Sequence, residues 1–376
     1  MNVYPLTLLL AGSIALLVAL ALQTYSHRMP VPGVFRVNRG AGERPCWGGV
    51  AVFVAFASTP FIASAVSSRA SEYFSPKSGD FLKFLAAAAL IFAVGLIDDW
   101  RPLGYKPKFL LQIVAASAVY AAGCSIDKLA FPWGPELTLG FMAPVLTVLW
   151  IVFFTNAINL IDGRDGLATG VVLLAAAPLA YIASSSNHPA VALLLVVIAG
   201  AGLGFIPFNL PPANSYLGDS GALLLGFLLG SLSIRGATGV TGAFFFSVPV
   251  IALGFPILDT VLAAVRRALD RKHPFGRDAD HIHNRLESAG FGPRGLLVVI
   301  YAMSMLFGGA AIAMHGIDIF AVEAAILLGF ATVLTLVLAR LGYLVTLWNS
   351  HSVIWLRHRI SLPGPKPLDS SDGSGR

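Results

Sequence analysis

Charge is what this sequence has least of. Asp, Glu, Lys and Arg make up 12% of its 376 residues, about half the share found in a soluble domain. Hydrophobic residues make up 56% and the mean hydropathy is +0.78, so too little polar sequence is left to cover a water-facing globule. A soluble enzyme or binding module is thereby excluded, and a polytopic membrane protein is implied. Cysteine is equally scarce. Cys46 and Cys124 are the only two, and they fall toward opposite membrane faces, which excludes a disulfide framework and a thiolate metal site. No basic stretch is interleaved with stacking aromatics, so the net charge of +6 points to membrane topology and anionic headgroups and not to nucleic acid.

What is present is a series of eleven apolar runs, each about the length that crosses a hydrocarbon core as a helix. They cover residues 4–23, 47–66, 81–97, 109–125, 140–157, 167–184, 190–206, 221–234, 240–263, 295–314 and 319–346. The first has no basic leader and no convincing small-residue cleavage site, and reads as a retained helix. With the N-terminus on the periplasmic side, 19 of the 25 Lys and Arg residues fall on inner segments, as the positive-inside rule requires. The fold class is therefore all-α with about eleven transmembrane helices and the C-terminus in the cytoplasm. Residues 1–348 form one transmembrane domain, with inner loops at 24–46, 98–108, 156–170, 207–221 and 264–294. Residues 349–376 read as a disordered tail.

The inner segments hold nearly all the chemistry. Helix three ends in GLIDDW, which sets Asp98 and Asp99 side by side at the bilayer boundary. Adjacent carboxylates repel, so such a pair persists where a cation or a proton transfer uses it. Lys106 and Lys108 follow, as snorkelling anchors or as diphosphate contacts. The stretch NAINLIDGRDGLATG, residues 156–170, carries the densest set. If the helix continues through it, Asn156, Asn159 and Asp162 share one side and aim at one point, with Asp165 on the next turn. Carboxamide and carboxylate oxygens of this kind suit a hard cation such as Mg2+, with Mn2+ as the alternative.

Further on, PFNLPPANSYLGDSG holds Asn209 and places Asp219 at the mouth of a helix, where an N-cap is the simpler reading. The prolines of that segment, and those of the loop 24–46, argue against regular structure. Asp259 lies in the ninth run, with Arg266 and Arg267 as its nearest partners in sequence. The hydrophilic segment after it ends in GRDADHIHNRL, with Arg277, His281, His283 and Arg285 beside carboxylates. That combination makes a nucleotide or diphosphate grip.

Taken in order, GLIDDW, NAINLIDGRDGLATG, PFNLPPANSYLGDSG and PFGRDADHIHNRL resemble the polyprenyl-phosphate N-acetylhexosamine-1-phosphate transferase family, over roughly residues 28–346. The resemblance implies transfer of a HexNAc-1-phosphate, GlcNAc or a relative, from a UDP-sugar to undecaprenyl phosphate, with Mg2+ and release of UMP. It further implies an enzyme of the bacterial inner membrane that initiates O-antigen, capsule or a related polysaccharide, and that forms a homodimer. By the same resemblance Asp98, Asp99, Asp162 and Asp165 are the catalytic set, the first deprotonating or positioning the lipid phosphate, and Asn159 and Asp219 hold the metal. Lys108, Asn156, Asn209, Arg277, His281, His283 and Arg285 bind substrate.

Two departures stand out. Asn284 replaces the last histidine of the family's loop and Ala279 replaces an arginine, for which Arg277 substitutes. The phospho-N-acetylmuramoyl-pentapeptide transferases are the alternative within the family. A proton-coupled transporter is the alternative outside it, although transporters hold their carboxylates near the midplane and in repeated halves.

Overall fold

The computed structural model describes residues 3–28, 36–38, 43–74, 79–130, 135–238, 244–270 and 281–315, with isolated positions between 325 and 339. The last apolar run (319–346) and the tail (349–376) therefore lie largely or wholly outside the described residues, as does Arg277.

The chain is mostly helical. The long helices are α1 (Val3–Arg28), α2 (Gly48–Val66), α4 (Gly79–Trp100), α5 (Tyr105–Ala121), α6 (Ala143–Ile161), α7 (Leu167–Ser185), α8 (Pro189–Asn209), α9 (Gly218–Gly236), α11 (Gly254–Leu269) and α13 (Pro293–Met314). Three short ones, α3 (Ser68–Tyr73), α10 (Ser247–Ala252) and α12 (Ile282–Ser288), join them. Among the described residues seven helical segments are long and apolar enough to cross a membrane: those of α1, α2, α4, α6, α7, α8 and α13. The predicted spans 109–125 and 221–234 are helical too, as α5 and α9, but α5 is shorter and carries two lysines in its first turn, and α9 is more polar, opening on Asp219 and closing on Arg235.

Small residues set how closely these helices approach. A Cβ on Gly204 of α8 would sit 2.2 Å from the Gly12 carbonyl oxygen of α1, and one on Gly226 of α9 would sit 2.5 Å from the Phe154 carbonyl of α6. Packing through such positions is how helices associate where lipid removes the hydrophobic drive. It leaves α9 enclosed, with nearly every residue buried between α2, α4 and α6.

The structure corrects three local expectations. Residues 240–263 are not one helix: a short strand, Phe244–Phe245, precedes α10, and the helix restarts at Gly254. Pro256 has no N–H to give the carbonyl of Ala252, and Gly254 accepts the ring of Phe307, which a Cβ would meet at 2.1 Å. The loop 24–46 does hold regular structure, since β1 (Arg36–Asn38) pairs antiparallel with β2 (Glu43–Pro45). Finally, α8 continues past Pro207 to Asn209. At the other end of the bundle β3 (Lys128–Ala130) pairs with β4 (Leu137–Thr138) and with Phe244–Phe245 as β5, so the all-α class carries two small sheets outside its helices. Cys46 and Cys124 are free thiols, both buried.

Candidate active site

Four helix ends meet at one end of the bundle. The last turn of α4 brings Asp98 and Asp99, the first turn of α5 brings Lys108, the last turns of α6 bring Asn156 and Asn159, and the first turn of α9 brings Asp219. Gly218 makes the approach possible. Its φ of +76° turns the chain into α9 in a region that L side chains avoid, and a Cβ there would lie 2.7 Å from Asp99 Oδ2.

Each carboxylate has a separate task. Asp99 accepts from the backbone N–H groups of Asp219 at 2.7 Å and Ser220 at 3.0 Å. It therefore caps α9 from another helix, where Leu217 at the N-cap offers no side-chain bond. Asp219 is thus not the cap that its position suggested. Asp98 accepts from the Leu103 N–H at 2.5 Å, which closes the α4–α5 turn, and from Lys108 Nζ at 2.7 Å. The same ammonium donates to Asp219 Oδ2 at 2.8 Å. Lys108 and Asp98 are nearly enclosed, with side chains 15% and 9% exposed, whereas Asp219 is 34% exposed. The open member of the cluster is the one that can meet a ligand.

The Asn159 carboxamide touches both partners. With its nitrogen toward Asp219 it donates to Oδ1 at 3.0 Å and accepts from Lys108 Nζ at 3.3 Å; turned over, its oxygen faces the carboxylate. Asn156, Asn159 and Asp162 do not converge as expected. Asn156 gives its amide to Gln112 Oε1 at 2.5 Å and to the Val152 carbonyl at 2.8 Å, and Asp162 is buried as the C-cap residue of α6. Gln112 was missed in the sequence, although a lone amide one turn beyond Lys108 in an apolar helix was a signal for it. Lys106 lies over the Tyr105 ring, 6.0 Å from its centre, and the cluster is built with Lys108.

Beside this cluster the α6–α7 turn is braced from three sides. Asp165 Oδ2 accepts from the Ala213 N–H at 3.0 Å. Asn209, 1% exposed, accepts from Gly166 N at 3.2 Å and Thr169 Oγ1 at 2.8 Å and donates to the Ser215 carbonyl at 3.1 Å. Tyr301 of α13, absent from the sequence prediction, donates to the Gly166 carbonyl at 2.6 Å. Asp165 and Asn209 shape the wall of the site, and their bonds are to protein. The Ser215 and Tyr216 backbone in turn holds the segment before α2, through Tyr216 N–H to Pro45 O at 2.9 Å and Gly48 N–H to Tyr216 O at 3.0 Å.

Helix α12 closes over this turn. His281 Nδ1 and Asp259 Oδ2 are 2.7 Å apart, and the Ile282 N–H donates to Asp259 Oδ1 at 2.8 Å. The partners shown for Asp259 thus lie at the start of α12, 22 and 23 residues further along. The His281 and His283 rings stack with centres 5.5 Å apart. His283 Nε2 lies 3.3 Å from where a Cβ on Gly163 would be. Burial pushes the His283 pKa down to about 4; Asp259 works against that, while His281 and Arg164 add to it. The ring is therefore neutral at pH 7. Arg164 donates to Asn284 Oδ1 at 3.2 Å and pairs with Glu287, which ties the α6–α7 turn to α12. Arg285 lies on the same short helix. A cavity of about 550 Å³ opens here, lined by Arg164, Asp165, Pro211, Glu287, Phe291 and Arg294 among others.

Among the described residues no three His, Cys, Asp or Glu side chains form a metal-holding group. Asp219 offers a carboxylate oxygen, and Asn159, once its carboxamide is turned over from the orientation that bonds Asp219 and Lys108, would set an amide oxygen beside it, a hard donor pair that fits a cation which completes its shell with phosphate and water.

The family model described as glycosyl transferase family 4 matches residues 81–237. The chain is 38% identical over 233 residues to the probable undecaprenyl-phosphate N-acetylglucosaminyl 1-phosphate transferase of Bacillus subtilis, covering 62% of this chain and 65% of that protein, just under two thirds of its length. It is 34% identical over 281 residues to the decaprenyl-phosphate N-acetylglucosaminephosphotransferase of Mycolicibacterium smegmatis, covering 68% of each. A phospho-N-acetylmuramoyl-pentapeptide-transferase of Staphylococcus epidermidis is 29% identical over 269 residues, covering 66% of this chain and 81% of that protein.

Proposed function

Since the chain belongs to glycosyl transferase family 4, we propose that it transfers an N-acetylhexosamine-1-phosphate from a UDP-sugar to undecaprenyl phosphate and releases UMP. The observation that carries this reading is the cluster of Asp98, Lys108, Asn159 and Asp219 at one end of the bundle, beside a cavity bordered by Arg164 and Arg294. In the reaction an oxygen of the lipid phosphate attacks the sugar-bearing phosphorus of the donor. The bond from that phosphorus to the bridging oxygen breaks, and the electron pair leaves with UMP. Negative charge gathers on the phosphoryl oxygens, so the protein's contribution is positioning and cationic stabilisation.

Lys108 supplies the fixed cation. An ammonium has three protons; two are committed to Asp98 and Asp219, and the third goes to Asn159 or to a phosphate oxygen. Mg2+, held by Asp219 and Asn159, would supply further charge neutralisation of the diphosphate. With the Asn159 oxygen turned toward Asp219, Lys108 loses that oxygen as an acceptor, and its third proton is left for substrate. Asp98 holds Lys108 and the α4–α5 turn in register, at the place where the lipid phosphate would be positioned. The cavity is of the size that takes a nucleotide, and its two guanidiniums complement the phosphates of the donor. His281, fixed by Asp259, and neutral His283 close the site as hydrogen-bonding groups.

Several names among the relatives specify N-acetylglucosamine, and GlcNAc-1-phosphate is the group we assign first, ahead of a pentapeptide-bearing muramoyl donor. We place the site on the cytoplasmic face of the inner membrane, and the reaction at the start of a cell-envelope polysaccharide. A proton-coupled carrier is the less favoured reading, because Asp98, Asp99 and Asp219 sit at helix ends and not at broken helices in mid-membrane. Purified protein supplied with undecaprenyl phosphate, Mg2+ and a panel of UDP-sugars tests the proposal. UMP should appear with UDP-GlcNAc, and absence of UMP with every donor would overturn it.

A further inference from the structure

A second cavity lies at the opposite end of the bundle. Asp98 closes α4 and Asp219 opens α9, whereas this cavity is lined by Asp80 at the start of α4 and by Ser231 and Arg235 near the end of α9. Sixteen residues of helix separate Asp219 from Arg235, about 24 Å at 1.5 Å per residue. The catalytic cluster does not extend here. The volume is about 280 Å³.

Its walls are apolar. Phe74 and Phe81 pack edge to face with ring centres 4.5 Å apart, and Phe84, Val119 and Leu194 continue the surface. Against these walls stands one cation. Arg235, half-buried, donates from Nη2 to the Ala122 carbonyl at 3.0 Å and lies beside the Cys124 thiol. It forms no ion pair with any described residue, although a guanidinium has five donors. Asp80, on the rim, is an exposed carboxylate 3.5 Å from Lys83. The hydroxyl of Ser231, on the cavity wall and 1% exposed, has no hydrogen-bond partner.

An arginine in the last turn of a helix complements the dipole, and that accounts for its presence on α9. It does not account for an apolar chamber beside it. A charged side chain at membrane depth is retained where an anion or a polar pathway meets it, and an apolar chamber is filled by hydrocarbon. A free phosphate would satisfy the guanidinium and leave the aromatic walls wet; a neutral lipid would do the reverse. We infer that this cavity binds an anionic phospholipid of the adjoining leaflet, its phosphate on Arg235 and the start of an acyl chain against Phe74, Phe81 and Leu194.

The full-length protein is placed in nanodiscs of phosphatidylcholine alone, or of phosphatidylcholine doped with phosphatidylglycerol or with undecaprenyl phosphate. Lipid retention after release is read by native mass spectrometry, and melting temperature is read in the discs. Phosphatidylglycerol should be retained over phosphatidylcholine and should raise the melting temperature. Arg235→Gln removes the charge-assisted bonds and should lower that retention roughly tenfold. Ala190→Phe, which fills the chamber from its half-buried edge on α8, should abolish it with Arg235 in place.

Equal retention by the wild type and both variants overturns the inference. So does preferential retention of undecaprenyl phosphate, or stabilisation by inorganic phosphate in phosphatidylcholine discs equal to that by phosphatidylglycerol. If Arg235→Gln fails to fold, the Ala190→Phe comparison decides alone.

Discussion

Lys108 and Asp219 show what single residues contribute to this site. Three carboxylates gathered at one helix junction would repel one another in a partly dehydrated space; one is turned to backbone N–H groups, and the other two are held by one ammonium. Because Asp99 already caps α9, the charge on Asp219 is left for ligand. Asp219→Asn should therefore insert and fold as the wild type does, yet release UMP roughly a hundredfold to a thousandfold more slowly and require more Mg2+. A residue that only capped a helix would lose at most ~1 kcal/mol of stability on this change and keep its turnover.

His283 carries a separate prediction. The unfolded chain takes up its proton near pH 6.5, while the folded one does so only near about 4. Stability therefore falls as pH drops through that window and is unaffected by this group above it. The melting temperature of the wild type should decline from pH 6.5 to 4 more steeply than that of His283→Asn. Parallel curves would remove His283 from the account.

Helices were the most legible elements. Nine of the apolar runs coincide with helices because an uninterrupted apolar stretch bounded by polar residues has few other ways to satisfy its backbone in lipid. The run 240–263 failed because hydropathy does not register the missing N–H of Pro256 or the ring of Phe307 filling the space at Gly254. Asp98, Asp99, Lys108, Asn159 and Asp219 were legible as candidates because buried polar groups at helix ends are costly unless used, and the fold brings them together. Their partners were not, since Asp99 to α9 and Asp259 to His281 are contacts across the fold, and sequence spacing carries no trace of them. Tyr301 was missed for the same reason, whereas Gln112 did leave a signal, a lone amide one turn beyond Lys108 in an apolar helix.

The α4–α9 junction is the element on which the cluster depends. A Cβ on Gly95 would meet Ser220 Cα at 2.4 Å and the Asp219 carbonyl at 2.6 Å. Gly95→Ala should cost about 1–3 kcal/mol by overpacking, and should lower UMP release with it, because α9 must shift away from Asp99. Gly309→Ala, with nothing within 4 Å of its Cβ position, serves as the control and should leave both melting temperature and turnover near normal.

Among the described residues the polar chemistry is divided between two ends, the end that holds the proposed phosphate-handling cluster and an end where Arg235 stands without an ion pair beside an apolar chamber. The Lys and Arg bias supports the proposed placement of the first in the cytoplasm. Single cysteines at Ser288, exposed at the end of α12, and at Ser185, exposed at the end of α7, should react with an impermeant maleimide from opposite sides once Cys46 and Cys124 are replaced. Labelling of both from the periplasm in intact cells would rule out that orientation. The reaction itself is tested most directly by following phosphorus. With UDP-GlcNAc labelled at the sugar-bearing phosphate, purified protein and undecaprenyl phosphate should move the label into the lipid and release one unlabelled UMP for each lipid formed. Label retained in released UDP, with sugar alone on the lipid, would contradict sugar-1-phosphate transfer at this site.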